Sequence, residues 1–422
     1  MPAAHHSWVL SIDAPPSRVT AVAAPSGAEV VVLHAWEAVG DGGDDRLWVS
    51  DDAGLRAFFD EVCTASPALV RGLRDKGMLL DRPLNLAANL RPEWLADGRT
   101  LLVALRLEDE GAPPERARAP AGPTVQQNLG ETRPARTYQD LLSNPHDEAL
   151  YDHYAISQLA RVDLGGGVEW IAEAAVYRRA EPSPDGRYLL IETIGKPYSY
   201  TLPESRFPRR IEVRDLAGRL VHRVADLPLQ DQIPIAFGSV ATGPRSVGWR
   251  SDAGAELAWS EALDGGDGAS EAELRDRVFT LAAPFGGAPV PLIELAQRFG
   301  GITWGDDDLA FVSSWWWKTR NMKVWRVRPG ERDKAPELIQ DRSWQDRYND
   351  PGTPLMRRNA AGRPVMLTAD GGRTLFLRGD GASPEGDRPF LDAWDVASGE
   401  TTRLFRSQAP YYESPVDLVD VA

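Results

Sequence analysis

Five stretches of this sequence share one grammar: a turn carrying Asp or Gly, then a strand apolar on nearly every position. They are WLADGRTLLVALRL (94–107), PSPDGRYLLIETI (182–194), WRSDAGAELAWSEAL (249–263), WGDDDLAFVSSWW (304–316) and TADGGRTLFLRGD (368–380). Gly accepts positive φ and Asp bonds its own backbone, so the pair makes a turn. Successive side chains of a strand point to opposite faces, so an unbroken apolar run fits a strand covered on both sides.

A second unit follows each of these: two strands around a polar, Gly-containing turn, a hairpin pattern. It reads LARVDLGGGVEWI (159–171), IEVRDLAGRLVHRV (211–224), RVFTLAAPFGGAPVPLI (277–293), VWRVRPGERDKAPELI (324–339) and LDAWDVASGETTRLF (391–405), with RLWVSDDAGLRAFF (46–59) as a weaker copy. The two units alternate with a period of roughly 50 to 65 residues. Inner strands plus an outer hairpin make a four-stranded antiparallel blade. The expected fold is therefore all-β, a β-propeller of six or seven such blades, one of them incomplete. A β-sandwich has shorter strand spacing and one wet face per strand, which fits these runs less well.

Two stretches break the grammar. Residues 108–136 are rich in Pro, Ala and charge (DEGAPPERARAPAGPT) and read as an exposed loop. Residues 137–160, TYQDLLSNPHDEALYDHYAISQLA, show helical spacing on both sides of Asn144-Pro145 and read as a helical insertion. Residues 53–80 also read partly helical. The expected organisation is a divergent N-terminal segment or degenerate first blade over 1–80 and a propeller over 81–422, with the loop and helical insertion at about 108–160.

The formal net charge is −15, which disfavours nucleic acid and anionic membranes as partners. No apolar run reaches the roughly 18 residues that a membrane helix needs. The start, MPAAHHSWVLSIDAPP, lacks the basic region and apolar core of a signal peptide, so cytoplasmic residence is the expectation, or export if the N-terminus is incomplete. Cys63 is the only cysteine, excluding a disulfide framework, and reads as buried filler. His5, His6, His34, His146, His153 and His222 show no i, i+3 or i, i+4 pairing, so no zinc site is read. The acidic clusters 40–45, 264–268 and 305–308 lack the spacing of a calcium loop and read as solvated turns. No phosphate-binding glycine motif follows a strand, and no cofactor is expected. No G-x-S-x-G nucleophile elbow occurs; the GAS triplets at 268–270 and 381–383 lack the second glycine and sit in polar turns.

Cations stand out against this acidic background. KPYSYTLPESRFPRR (196–210) carries Arg206, Arg209 and Arg210 among tyrosines, and SWWWKTRN (314–321) places Trp317, Lys318 and Arg320 at a strand end. Arg at a loop tip binds carboxylates bidentately. The alternative is salt bridges to the surplus Asp and Glu. Alternation assigns Phe311, Ser313, Trp315 and Trp317 to one strand face and Val312, Ser314 and Trp316 to the other. At least one Trp near the strand end is then expected to surface beside Lys318 and Arg320.

The runs PARTYQDLLSNPHDEALYDHY, SPDGRYLLIETIGKPYSY, SRFPR, TGPRSVGWR, EALDGGDG, WWWKTR, DRYNDPG, RRNAAG and GASPEGDRPFLD follow one another in order. Together, over about residues 81–418, they closely resemble the propeller domain of the glutamyl endopeptidase branch of the prolyl oligopeptidase (S9) family of serine peptidases. That resemblance implies a propeller capping a C-terminal α/β-hydrolase domain that carries a Ser-Asp-His triad. No residue here matches the triad. The sequence ends at PYYESPVDLVDVA, where the family runs on into the hydrolase domain, so the chain is expected to be a fragment, a truncated gene product or an isolated domain.

Three functions are consistent with this reading. The first is a non-catalytic propeller, inactive alone, that gates or binds peptide substrate for a hydrolase domain, with Arg206, Arg209, Arg210, Lys318, Arg320 and Trp317 as candidate substrate contacts. The second is half of a split serine peptidase completed by a separate α/β-hydrolase chain. The third is a stand-alone interaction scaffold.

Overall fold

A computed structural model describes residues 84–88, 90–116, 138–163, 167–416 and 418, Leu86 by backbone alone. It also gives the backbone of five earlier strands: β1 (Ser7–Trp8), β2 (Arg18–Ala23), β3 (Glu29–His34), β4 (Arg46–Trp48) and β5 (Leu79–Pro83). The first three form one antiparallel sheet and the last two a pair. Of the helical reading over 53–80, residues 53–78 lie outside the described residues, and Leu79 and Leu80 belong to β5 instead. Cys63, the 40–45 acidic cluster and residues 117–137 also lie outside the described residues. The chain divides into two compact units, 1–182 with 186–231, and 183–185 with 232–422.

The first unit continues with β6 (Glu93–Trp94), β7 (Thr100–Leu105), helix α1 (Pro145–Ala155), β8 (Ile156–Asp163), β9 (Val168–Trp170), β10 (Ala175–Pro182), β11 (Tyr188–Ile194), β12 (Arg209–Asp215) and β13 (Leu220–Leu227). Strands β6 to β9 and β10 to β13 are two antiparallel meanders of four. A short β8–β10 pairing, Ile156 with Val176 and Ser157 with Ala175, joins them. Their faces share one apolar cluster, Leu95, Leu102, Leu159, Tyr177, Leu189 and Ile191 among it. The Asp-Gly turn works as its residues dictate: the Asp97 carboxylate accepts the N–H groups of Arg99 and Thr100 at 2.9 Å each, and Gly98 takes φ +62°.

The helix is shorter than its spacing predicts. Asn144 caps it, accepting the N–H groups of His146 and Asp147, and Pro145 occupies the first turn. A residue before proline is driven out of the α region, and Pro has no N–H to lose at a helix start. Residues 138–144 are not helical, and residues 156–160 are drawn into β8, Ile156 and Ser157 by pairing with β10 and the rest by pairing with β7.

The second unit carries three sheets. The first is β14 (Arg245–Trp249), β15 (Glu256–Ala262), β16 (Asp276–Ala282) and β17 (Val290–Leu295). The next is β18 (Arg298–Asp306), β19 (Leu309–Trp316), β20 (Asn321–Val327) and β21 (Glu337–Ser343). In the last, β22 (Thr353–Pro354), β26 (Thr374–Gly379), β27 (Phe390–Asp395) and β28 (Thr401–Arg406) form the path, β25 (Thr368–Ala369) pairs with β26, and β23 (Met356–Arg358) and β24 (Pro364–Met366) form a separate hairpin.

These are propeller blades in type, as the sequence grammar predicts. From β6 onward, β7, β11, β15, β19 and β26 each follow one of the five turns, and the pairs β8–β9, β12–β13, β16–β17, β20–β21 and β27–β28 are the predicted hairpins. Within a blade burial is greatest in the strand after the turn and least in the outermost: in the β18–β21 sheet residues 309–312 of β19 are all buried, whereas β21 has no buried residue. The apolar run in β19 is buried on both faces, by two neighbours. Ala310 and Val312 pack with Val278 and Ile293 of the preceding sheet. Leu309 and Phe311 pack with Met366 and Leu375 on the other side. Each fully buried side chain of this size contributes about 1.5–3 kcal/mol.

Candidate functional site

The tryptophan triplet divides at the end of β19. The strand stops at Trp316, and Trp317–Thr319 form a single 3₁₀ turn, so strict alternation ends one residue before Trp317. Arg320 closes that turn in the left-handed conformation, φ +57°. Its carbonyl accepts the Trp344 N–H at 3.0 Å, which ties the turn to the segment after β21.

Trp316, like Trp315, is half-buried, and it packs on the Arg275 side. The Arg275 guanidinium lies 4.0 Å from its ring centroid. On the Gly238 side, a β-carbon would stand 2.7 Å from the indole, and Gly238 has φ +81°, so only glycine fits. Beneath lies a network of buried charge. Arg298, whose side chain is 1% exposed, meets Asp264 at 2.7 Å and Asp276 at 2.8 Å. It also donates to the carbonyls of Gly238 (2.6 Å) and Arg275 (3.0 Å). Arg275 bonds Asp264 at 2.8 Å, and Arg245 pairs with Asp276 at 2.8 Å. Burial by itself raises a carboxyl pKa. At Asp264 the hydrogen bonds and charge of Arg298, with help from the Gly266 N–H and Arg275, overcome that and hold it below the usual range.

This network holds the 236–240 loop, because Arg298 grips Gly238 and the Gly266 carbonyl accepts the Val240 N–H at 2.9 Å. Phe237, next to Gly238, is thereby presented to solvent at 69% exposure and stacks on Trp317, ring centroids 5.2 Å apart. Gly268 closes the loop from below: a β-carbon there would sit 2.3 Å from the Phe237 carbonyl oxygen. Gly268→Ala is expected to push the loop outward at about 1–3 kcal/mol. Near-UV circular dichroism should report the lost Phe237–Trp317 stack.

On the solvent side, Trp317 is 37% exposed. The Arg320 guanidinium stacks 4.0 Å from its centroid and 5.9 Å from that of Trp344. Neither Lys318 nor Arg320 forms an ion pair among the described residues. Two carboxylates on and after the strand that pairs with Asn321 are engaged elsewhere: Asp341 by Asn321 and Lys323, Asp346 by Asn349. Two exposed aromatic rings and two cations without carboxylates thus share one corner of the second unit.

The other candidate cations lie in the first unit. Arg209 bonds the buried Glu192 at 3.0 Å, and Arg210 pairs with Asp226 at 3.4 Å. Both line a cleft of about 790 Å³ with Lys196 and Arg214. Arg206 sits in a 3₁₀ turn, half-buried, with no ion pair among the described residues. For Arg209 and Arg210 the salt-bridge alternative describes what their side chains do. Sequence reading missed Phe237, Trp344 and the buried Arg298. Phe237 and Trp344 are distant in sequence from Trp317 and sit in no repeat. Arg298 lies at the start of a strand, where a cation reads as exposed. Among the described residues, no cluster of three or more His, Cys, Asp or Glu is arranged to hold a metal, and no helix is long and apolar enough to cross a membrane.

Comparison with known proteins finds a clear kinship. The chain is 41% identical over 333 residues to a protein named probable glutamyl endopeptidase, chloroplastic, from Oryza sativa subsp. japonica. It is 41% identical over 334 residues to the protein of the same name from Arabidopsis thaliana. Each match covers 77% of this chain and 35% of the relative, so the chain spans about a third of the length of the curated relatives it matches. No family model matches. Solved structures resemble it more remotely. A prolyl endopeptidase aligns at 10% identity and TM-score 0.42, covering 94% of this chain and 43% of that one. The β-propeller domain of the Trilobed protease from Pyrococcus furiosus aligns at 10% identity and TM-score 0.35, covering 92% and 95%.

Proposed function

With its matched region belonging to the glutamyl endopeptidase branch of the prolyl oligopeptidase family of serine peptidases, we propose that this chain acts as the substrate-gating propeller of such a peptidase. In this reading it binds or admits peptide substrate and has no hydrolytic centre of its own. The hydrolysis is carried out by an α/β-hydrolase domain, in the same polypeptide or a second one. The observation that carries the reading is the 41% identity to a third of each relative, in a sequence with blade repeats and no nucleophile elbow. A cap over a peptidase site excludes bulk water and folded proteins, which supplies the physical role of the propeller.

The test is chemical. A fluorophosphonate probe, which reacts with activated serines, should leave the pure chain unlabelled, and glutamyl peptides should turn over at the background rate. Joined to the hydrolase domain of a relative, the chain should spare a folded protein while short glutamyl peptides are still cleaved. Stoichiometric labelling of the pure chain, or equal cleavage of folded and short substrates in the mixture, overturns the proposal.

A further inference from the structure

We propose that the corner formed by Phe237, Trp317, Lys318, Arg320 and Trp344 is a docking site for an acidic peptide. The inference deepens the propeller reading and rests on it only for the biological use of the peptide; the binding itself is a property of this chain.

The chemistry follows from how Arg320 is held. Stacking on Trp317 and Trp344 uses the faces of the guanidinium. The donors lie in the plane of the group, so stacking does not consume them. One of them reaches the Trp317 carbonyl at 3.3 Å. The rest suit the two oxygens of a carboxylate, and flanking aromatics lower the local dielectric that such a bond feels. Lys318, exposed and two residues away, supplies a second charge for a neighbouring carboxylate. The exposed ring of Phe237 and the exposed part of Trp317 offer apolar surface to the side chain beside it, as aromatic anchors do at interfaces.

The site is built rather than incidental. Left-handed backbone is unfavourable for a residue with a β-carbon, and Gly is the ordinary occupant. Here an Arg takes it, which places the cation against both indoles. The buried Arg298 network fixes the Phe237 loop on the other side. In a chain of net charge −15, two cations without an ion pair among the described residues, beside exposed rings, form a local patch that attracts an acidic partner and repels a basic one.

The backbone also supplies a clean variant. Arg320→Gly removes the cation from a position that glycine prefers, so it should fold with an equal or higher melting temperature. The experiment measures fluorescence anisotropy of a short fluorescein-labelled peptide alternating glutamate and leucine, titrated with the chain. Arg320→Gly should weaken binding about tenfold, the size expected for one charge-assisted hydrogen bond. Lys318→Gln should weaken it by a smaller factor, added salt should weaken it further, and a lysine–leucine peptide should not compete. Unchanged affinity in Arg320→Gly, equal competition by the basic peptide, or a signal that follows self-association of the chain would overturn the site. Loss of the site with gating intact in the hydrolase mixture would remove this inference and leave the propeller reading standing. Binding without gating would do the reverse.

Discussion

Replacing Arg298 by Met is expected to destabilise the unit around residues 232–422 by about 3–5 kcal/mol, because it breaks a buried charge network by removing one partner. Asp264 and Asp276, 1% and 0% exposed, lose their shared cation, and the Gly238 and Arg275 carbonyls lose a donor. Methionine fills much of the volume, so the cost is electrostatic rather than a cavity. In a unit of this size the melting temperature should fall by on the order of 10 °C, read by calorimetry. The mechanism predicts a particular non-additivity: Asp264→Asn added to Arg298→Met should cost less than the sum of the two, since the second change removes one of the buried carboxylates that Arg298 no longer helps to neutralise. Strict additivity would show that Arg298 acts through packing alone. Because Arg298 also holds Gly238, the variant should loosen the Phe237–Trp317 stack as well.

Arg250→Met should have an effect of similar size, about 3 kcal/mol or more. The Arg250 side chain is 2% exposed and bonds Glu256 at 2.7 Å, Asp252 at 2.5 Å and Asp307 at 2.8 Å. Its guanidinium also sits 5.0 Å from the Trp304 ring centroid. Burial by itself lowers an Arg pKa, but the hydrogen bonds and charges of these three carboxylates raise it instead. One side chain thereby joins the turn between β14 and β15 to the turn before β19 in the next sheet. Without it, Asp252, whose side chain is 3% exposed, loses this cation, while Glu256 keeps Arg332 at 3.2 Å. Denaturant unfolding should show a lower midpoint. Asp307, 75% exposed, should matter far less: Asp307→Asn is expected to cost under about 1 kcal/mol, as exposed pairs do.

Both arginines clarify the ordered motifs by which the sequence resembles its relatives. TGPRSVGWR supplies Arg245 and Arg250, and EALDGGDG supplies Asp264, Gly266 and Gly268. These residues serve buried ion networks and close backbone approaches, not an exposed site. Motif specificity here reports on packing between blades. WWWKTR is the mixed case: Trp316 belongs to the network, whereas Trp317, Lys318 and Arg320 face outward.

The blades were legible in advance because their signal is local. An Asp or Gly turn followed by an apolar run needs only its own residues to be recognised, and it recurs five times. The helix was half legible. Its N-cap and proline are local, but its C-terminal limit is set by strand pairing of Ile156 with Val176, which no neighbouring residue announces. The candidate site was legible only as a sequence corner. Lys318 and Arg320 stood out by charge, but Phe237 and Trp344 come from loops far along the chain.

The sequence by itself determined the strand order, the two-faced burial of the inner strands and the kinship, since each depends on short-range pattern or on ordered motifs. The tertiary structure alone decided which charges are buried and which remain open. Arg298 opens β18 and Arg320 closes the turn between β19 and β20 of the same sheet, yet one neutralises two carboxylates inside and the other stacks on indoles. A charge is assigned its role by the partners that folding brings to it, and for Arg298 those carboxylates lie more than twenty residues away in the chain.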